Sequence, residues 1–175
     1  IERYLDAARS NLLFAKGIIL VEGDAEQILI PEMFKKVFGL SLDEIGISVI
    51  NIGSTGFENV ARIFHPERIK KNCAILTDLD KSIVTLPSDP KNDDDYQKHY
   101  RASQDSGEER KVRLTNFCNG NDFIKPFYSN HTFEVDFLMN KNSHEFVHCL
   151  DKIYSRPADK TKVIEKLQDD SVDVA

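Results

Sequence analysis

Three short apolar runs, each followed by a polar turn and a helical pattern, constrain the fold of this chain more than any other feature. The runs are "GIILV" at 17–21, "ISVINI" at 47–52 and the apolar part of "NCAILTDLD" at 72–80. They are rich in β-branched residues and do not alternate polar with apolar positions, which is typical of strands covered on both faces. Strands that alternate with helices predict an α/β fold with a mainly parallel sheet and helices on both faces.

The segments between and after these runs predict helices and one polar insertion. The amphipathic pattern of residues 24–38 predicts a helix with four apolar side chains directed inward: Ile28, Leu29, Met33 and Val37. Residues 87–109, after the third strand, are almost wholly polar, and we expect an exposed insertion with disordered parts. Residues 108–118 favour a helix. A strand weakened by Pro126 is expected at 122–129.

The expected organisation has three parts. Residues 1–16 are predicted to form an N-terminal helix that leads from a missing upstream region, because the chain opens on Ile1 rather than Met. Residues 17–140 are predicted to form the main α/β domain, which carries the 87–109 insertion. Residues 141–175 are expected to form C-terminal helices, one near 143–154 and another near 159–168.

Composition argues against several classes of protein. Acidic residues number 29 and basic residues 23, so the formal net charge is -6, whereas nucleic-acid-binding domains are usually basic. No apolar stretch has transmembrane length and no signal peptide is visible, so we expect no membrane partner. The three cysteines lack CxxC spacing, which favours reduced thiols and a cytoplasmic location.

Carboxylates stand where two of the predicted strands end. Glu22 closes the first strand, Glu26 follows in the first turn of the next helix, and Asp78 and Asp80 close the third strand. In an open parallel sheet, ligands bind at the carboxyl ends of strands. The i, i+2 spacing of the two aspartates would put both side chains on one side of an extended strand. If the two strands are neighbours, the four carboxylates converge.

A converging set of carboxylates needs cations, because like charges repel and are costly to desolvate. Oxygen-only ligands favour Mg²⁺ or Mn²⁺ over zinc, and one or two ions are expected. Two such ions about 4 Å apart can activate a water molecule and stabilise the leaving oxygen in phosphodiester cleavage. Acids near helix starts also act as ordinary caps and as partners of the helix dipole, and for Asp24 we prefer that interpretation.

The motifs "VEGDAE", "GSTGF" and "TDLD", in this order, resemble a Toprim domain. Toprim is a Rossmann-like metal-binding module shared by DnaG-type primases, topoisomerases and several nucleases. The wider segments "LLFAKGIILVEGDAEQILIP", "INIGSTGFENVARIF", "AILTDLD" and "TFEVDF" resemble the OLD (overcoming lysogenization defect) family. Members of that family join an ABC-type ATPase to a Toprim nuclease. The resemblance covers roughly residues 8–140.

The resemblance implies a set of metal ligands. Glu22 and Glu26 match the family's first acidic pair, Asp78 and Asp80 match its DxD motif, and Glu134 in "TFEVDF" matches a further acidic ligand.

For other positions the resemblance suggests a role that an ordinary structural explanation also covers. Ser54 lies where the family's second strand meets the metal site, although a simple helix cap explains this serine equally well. Asp136 is better explained as a solvated acid. The family's catalytic lysine follows the last acidic motif, and of Lys160 and Lys162 we favour Lys162 because a helix follows it. A charged surface helix accounts for both lysines without a function.

By this resemblance, the expected function is cleavage of DNA by a divalent-metal-dependent endonuclease, in phage defence or DNA repair. Glu22, Asp78 and Lys162 would be the catalytic residues. The chain has no GxxxxGK[ST] phosphate loop, so ATP is expected only at a separate ATPase domain missing from this chain. The expected partners are therefore DNA, that ATPase domain and further copies of the full-length protein in a homo-oligomer.

Two alternatives stay open at the level of sequence. "HEFVH" at 144–148 matches the HExxH pattern, in which His144 and His148 would bind zinc and Glu145 would act as general base of a peptidase. No third histidine follows at metzincin spacing, and Glu165 is a distant substitute. The other alternative is a Toprim-like module that has lost activity and serves as a binding surface.

Overall fold

The computed structural model describes residues 11–53 and 56–168 of the chain. The strands in these residues are β1 (Gly17–Val21), β2 (Ile47–Asn51), β3 (Asn72–Asp78) and β4 (Ile124–Ser129). The α-helices are α1 (Asn11–Phe14), α2 (Asp24–Phe38), α3 (Phe57–Ala61), α4 (Asp95–Cys118), α5 (Phe133–Phe137), α6 (Ser143–Ile153) and α7 (Pro157–Gln168). Residues 1–10 of the predicted N-terminal helix lie outside the described residues.

The four strands form one parallel sheet in the order β2-β1-β3-β4, which confirms the predicted α/β class. The chain moves from β1 outward to β2 and then back across β1 to β3. Because crossovers between parallel strands are right-handed, these opposite steps place α2 and α3 on opposite faces of the sheet. The central strands β1 and β3 are therefore covered on both sides, which explains their continuous apolar sequences.

The core lies between the sheet and the helices that cover it. Leu20 in β1, Ile75 in β3 and Phe57 in α3 have no exposed surface. Burying an apolar side chain of this size stabilises the fold by about 1.5–3 kcal/mol. These side chains fix the central strands, and so fix the edge of the sheet at which β1 and β3 both end.

Helix α2 does not face the sheet as its pattern predicted. Four apolar side chains expected in the core are exposed: Ile28 (66%), Leu29 (39%), Met33 (41%) and Val37 (74%). That prediction was wrong. The helix instead turns Glu26, Ile30 and Phe34 inward, where they are buried or half-buried. Both stripes have helical spacing, so periodicity alone could not choose between them.

The polar segment after β3 is ordered, and the expectation of disorder in it was wrong. Helix α4 starts at Asp95, where Asp94 and Gln97 form a reciprocal capping box. Arg101 extends from this helix and holds the preceding loop, donating from Nε to Asp93 Oδ2 at 2.6 Å and from Nη2 to the Pro87 carbonyl at 2.8 Å. Composition predicted the polarity of this segment but not these local bonds.

The C-terminal part of the chain forms the helices α6 and α7 close to their predicted positions. Leu150 of α6 is buried, whereas the histidines of the same helix are exposed. Among residues 11–53 and 56–168, no helix has the length and apolar character needed to cross a membrane.

Candidate functional site

Glu22 stands directly after β1, at the edge where the parallel strands end. The Thr77 hydroxyl of the neighbouring strand β3 donates a hydrogen bond to Glu22 Oε1. The same carboxylate oxygen lies 3.6 Å from Arg110 Nε, on helix α4. Glu22 therefore joins the end of β1 both to β3 and to a helix that is distant in sequence.

Asp78 is the last residue of β3, and both of its carboxylate oxygens are held. Ser129 Oγ of β4 donates to Oδ1, and the Phe133 amide at the start of α5 donates to Oδ2 at 3.0 Å. Burial raises the pKa of Asp78 to about 6, and the charges of Glu22 and Asp80 act in the same direction against the lowering effect of the two hydrogen bonds.

Asp80 reaches the site by a different route from the one predicted. It lies beyond the end of β3 in a left-handed conformation, with φ of 51°, so the expected alternation along an extended strand does not apply. Arg110 Nη2 donates to Asp80 Oδ2 at 2.9 Å and to the Asp78 carbonyl at 2.6 Å. The turn and the arginine, rather than strand geometry, bring Asp80 to Asp78.

Arg110 is the residue of this site that sequence reasoning missed. Its residue surface is only 6% exposed, although it lies in a helix rich in charged residues. One turn earlier, a Cβ atom on Gly107 would stand 2.1 Å from the Leu79 carbonyl oxygen, so only glycine permits this close approach of the helix to the end of β3. A glycine inside an otherwise polar helix was the one available signal.

The acidic site therefore contains part of its own compensating charge. Arg110 pairs with both Glu22 and Asp80, so the expectation that these carboxylates have no compensating charge within the protein was wrong. The single guanidinium faces two carboxylates, and the carboxylate of Asp78 lies beside them, so the edge of the sheet keeps a net negative charge.

The two acids at the start of α2 take different positions. Glu26 is 9% exposed, and its Oε2 lies 3.0 Å from the point where a Cβ of Gly23 would stand, so it is directed back toward the end of β1. Asp24 is exposed and accepts a hydrogen bond from Asn51 Nδ2 at 2.7 Å. Gly23, not Asp24, is the N-cap of α2, so a capping role for Asp24 is wrong, but Asp24 lies in the first turn of the helix, where an acid interacts favourably with the helix dipole as predicted.

The remaining predicted site residues are Glu134, Lys162 and Ser54. Glu134 is exposed in the first turn of α5, one residue after the amide that binds Asp78. Lys162 is exposed on α7. Ser54 lies outside the described residues. The roles given to these three residues stay predictions.

Asp136 has a structural role rather than the expected role of a solvated acid. Its Oδ2 accepts hydrogen bonds from the amides of Asn130, at 2.8 Å, and His131, at 3.3 Å. These hydrogen bonds fix the turn between β4 and α5. The turn places the Phe133 amide where it donates to the Asp78 carboxylate.

Residues 13–80, which include both acidic strand ends, match the family described as "Overcoming lysogenization defect protein-like, TOPRIM domain". These residues form an OLD-like Toprim domain. Among curated proteins, none matches its sequence.

Solved structures extend the likeness of this Toprim domain beyond the matched residues. The C-terminal region of the Burkholderia pseudomallei OLD protein is 25% identical, with a TM-score of 0.61 over 93% of this chain and 78% of that one. The C-terminal region of the Xanthomonas campestris pv. campestris OLD protein is 20% identical, with a TM-score of 0.58 over 91% of this chain and 72% of that one. Both share the fold.

The donor chemistry of the Toprim site suits a hard divalent cation, because its side chains offer carboxylate oxygens. Arg110 Nε is buried and makes no hydrogen bond to the described residues, so it acts on Glu22 Oε1, 3.6 Å away, through its charge. Yet among the described side chains, no group of three or more His, Cys, Asp or Glu is arranged to hold a metal ion. The acids are instead engaged with Thr77, Ser129 and Arg110.

The histidines of the HExxH match form a pair on the surface of α6. The rings of His144 and His148 have centroids 4.9 Å apart, and Glu145 between them is exposed. A catalytic zinc site needs a third protein ligand, and the described residues provide no such group here. The acidic site likewise lacks a preformed group of three ligands, but the family match covers its strand ends at 13–80 and not the histidines of α6, so the peptidase alternative has less support.

Proposed function

We propose that this Toprim domain is the nuclease module of an OLD-type protein and cleaves DNA phosphodiester bonds with one or two divalent cations, Mg²⁺ or Mn²⁺. One observation carries the proposal: carboxylates from the ends of two adjacent strands, Glu22 and Asp80, share one buried arginine, beside Asp78. Such a concentration of partly compensated acid at a strand edge is costly for a fold that has no use for it.

The proposed ligands are the carboxylates of Glu22, Glu26, Asp78, Asp80 and Glu134. When bound, the cations would lower the pKa of an attacking water and stabilise the leaving oxygen. The rest of the site orients these groups: Ser129 and the Phe133 amide fix the plane of the Asp78 carboxylate. Lys162 would offset the negative charge that builds on the phosphate.

The Toprim domain alone has too little positive charge to hold DNA firmly, since its net charge is -6. We therefore propose that an ATPase domain, joined in the full-length protein, and a second protomer provide the DNA clamp. The two relatives are each described as the C-terminal region of an OLD protein, which supports a longer parent protein here. Phage defence and DNA repair are the proposed settings, in the cytoplasm.

The proposal is tested by nicking of supercoiled plasmid. We expect nicked product with Mg²⁺ or Mn²⁺ and none with EDTA. Asp78→Ala should reduce nicking to less than about a tenth of wild type, since it removes a proposed ligand at an edge where no core side chain is lost. His144→Ala is the control and should leave nicking unchanged.

Two results would contradict the proposal. Nicking that survives in Asp78→Ala would place the metal elsewhere. Zinc-dependent cleavage of peptides that is lost in His144→Ala would favour the peptidase.

A further inference from the structure

We infer that Arg110 is the internal counter-cation of the acidic site: it positions Glu22 and Asp80 and shares their charge with any divalent cation that binds there. The first half of this inference concerns the metal-free protein and stands on geometry alone. The second half, on metal affinity, rests on the proposed function.

Three contacts of the Arg110 guanidinium carry the inference. Nη2 donates to Asp80 Oδ2 at 2.9 Å and also to the Asp78 carbonyl at 2.6 Å, and Nε faces Glu22 Oε1 at 3.6 Å. One side chain thus joins both acidic strand ends. Its planar fork can serve several oxygens at once, which a lysine ammonium on a flexible chain cannot do in the same way.

Burial limits what this guanidinium can do. Only 7% of the Arg110 side chain is exposed, and the close approach at Gly107 holds α4 against the end of β3. A substrate phosphate outside the site therefore has little access to it. Arg110 acts through the carboxylates that it contacts, which makes it a positioning residue rather than a catalytic one.

Arg110 should affect metal binding, because it contacts carboxylate oxygens that a metal ion would also use. Asp80 Oδ2 and Glu22 Oε1 both face the guanidinium, so a divalent cation that uses either oxygen lies near a fixed positive charge. The positive charge of Arg110 therefore opposes binding of the metal ion. Removing it should tighten metal binding even while it destabilises the metal-free fold, whereas a purely structural arginine would give no such gain.

The first measurement is a double-mutant cycle in EDTA, with thermal unfolding as the readout. Arg110→Gln and Asp80→Asn should each lower Tm, and the double variant should lose much less than the sum of the two losses. Arg113→Gln is the matched control, because Arg113 lies on the same helix but pairs with Glu58. The decrease in Tm caused by Arg113→Gln should simply add to the decrease caused by Asp80→Asn. Additive losses for Arg110 and Asp80 would overturn the positioning role.

The second measurement is Mn²⁺ binding, followed by electron paramagnetic resonance of the free ion. Arg110→Gln should bind Mn²⁺ about tenfold more tightly than wild type, which corresponds to about 1.4 kcal/mol. Arg110→Lys keeps the charge and should stay within about threefold of wild type. Arg113→Gln should not differ from wild type.

The outcomes separate this inference from the proposed function. Unchanged or weaker binding in Arg110→Gln would overturn the counter-cation role while leaving the metal site itself intact. Wild type that binds no Mn²⁺ would contradict the proposed function and the metal half of this inference together, and the EDTA cycle would still decide the positioning role. If Arg110→Gln does not fold, Arg110→Met, which keeps the length of the side chain without its charge, takes its place in both measurements.

Discussion

At the scale of single residues, Asp78 has the most unusual surroundings in the acidic site. Burial at the end of β3 raises the pKa of Asp78 to about 6, and the neighbouring charges of Glu22 and Asp80 add to this effect. The hydrogen bonds from Ser129 and the Phe133 amide act against it and fix the carboxylate in place. The charged form of Asp78 is therefore held in an unfavourable environment when no cation is present.

A pH dependence of stability follows from this raised pKa. The folded protein holds the Asp78 proton more tightly than the unfolded chain, whose aspartate has a pKa near 3.8. The contribution of Asp78 to the free energy of unfolding should therefore decrease as the pH rises from about 4 to about 6. Asp78→Asn has no titrating group at this position and should lack that contribution.

The measurement is urea unfolding of wild type and Asp78→Asn in EDTA at several pH values across this window. The free energy of unfolding of the variant, relative to wild type, should increase with pH. A difference that stays constant or decreases would show that the pKa of Asp78 is not raised in the folded protein.

At the scale of secondary-structure elements, helix α4 completes the acidic site from outside the sheet. It brings Arg110 to the ends of β1 and β3, and its approach to Leu79 depends on Gly107. A Cβ at position 107 would stand 2.1 Å from the Leu79 carbonyl oxygen, so the helix or the turn would have to move. That movement would separate Arg110 from its carboxylate partners.

Gly107→Ala is therefore expected to destabilise the protein, although replacing glycine by alanine usually stabilises a helix. In an ordinary helix, alanine is more favourable than glycine by about 1 kcal/mol. Here the clash should reverse the sign and cost about 1–3 kcal/mol, as in other overpacked sites. Chemical denaturation measures the change, and Ser106→Ala on the exposed side of the same helix is the control. A more stable Gly107→Ala variant would mean that α4 lies further from β3.

The elements also show what sequence alone could and could not predict. The continuous apolar runs predicted β1 and β3, and parallel topology predicted that Glu22 and Asp78 would end at one edge. The direction faced by α2 was not predictable, because two apolar stripes with the same period compete along it. Arg110 was not predictable either, since only tertiary packing distinguishes it from the exposed or half-buried charges beside it in "EERKVR".

At the scale of the whole molecule, charge limits what this domain does alone. Its formal net charge is -6, and the acidic edge that would meet DNA is itself negative. Release of counterions from DNA can therefore contribute little to binding. Under the proposed function, other parts of a longer protein would supply the grip on DNA.

We accordingly expect weak DNA binding by this chain, with a shallow dependence on salt. Fluorescence anisotropy with a labelled duplex, titrated at several KCl concentrations, gives both quantities from a plot of log K against log salt. The slope should correspond to about two phosphate contacts or fewer. Tight binding at physiological salt without divalent metal, or a steep slope, would show a basic DNA-binding surface that the net charge conceals.

The central claim is that the acids at the ends of β1 and β3 bind divalent metal, and Mn²⁺ binding to four proteins tests it most directly. Wild type should bind one or two Mn²⁺ ions. Glu22→Gln and Asp78→Asn should each lose at least one ion or bind about tenfold more weakly. Asp95→Asn removes an almost fully exposed acid on α4 and should bind as wild type does. Binding that is absent in wild type, or equal in all four proteins, would contradict the account.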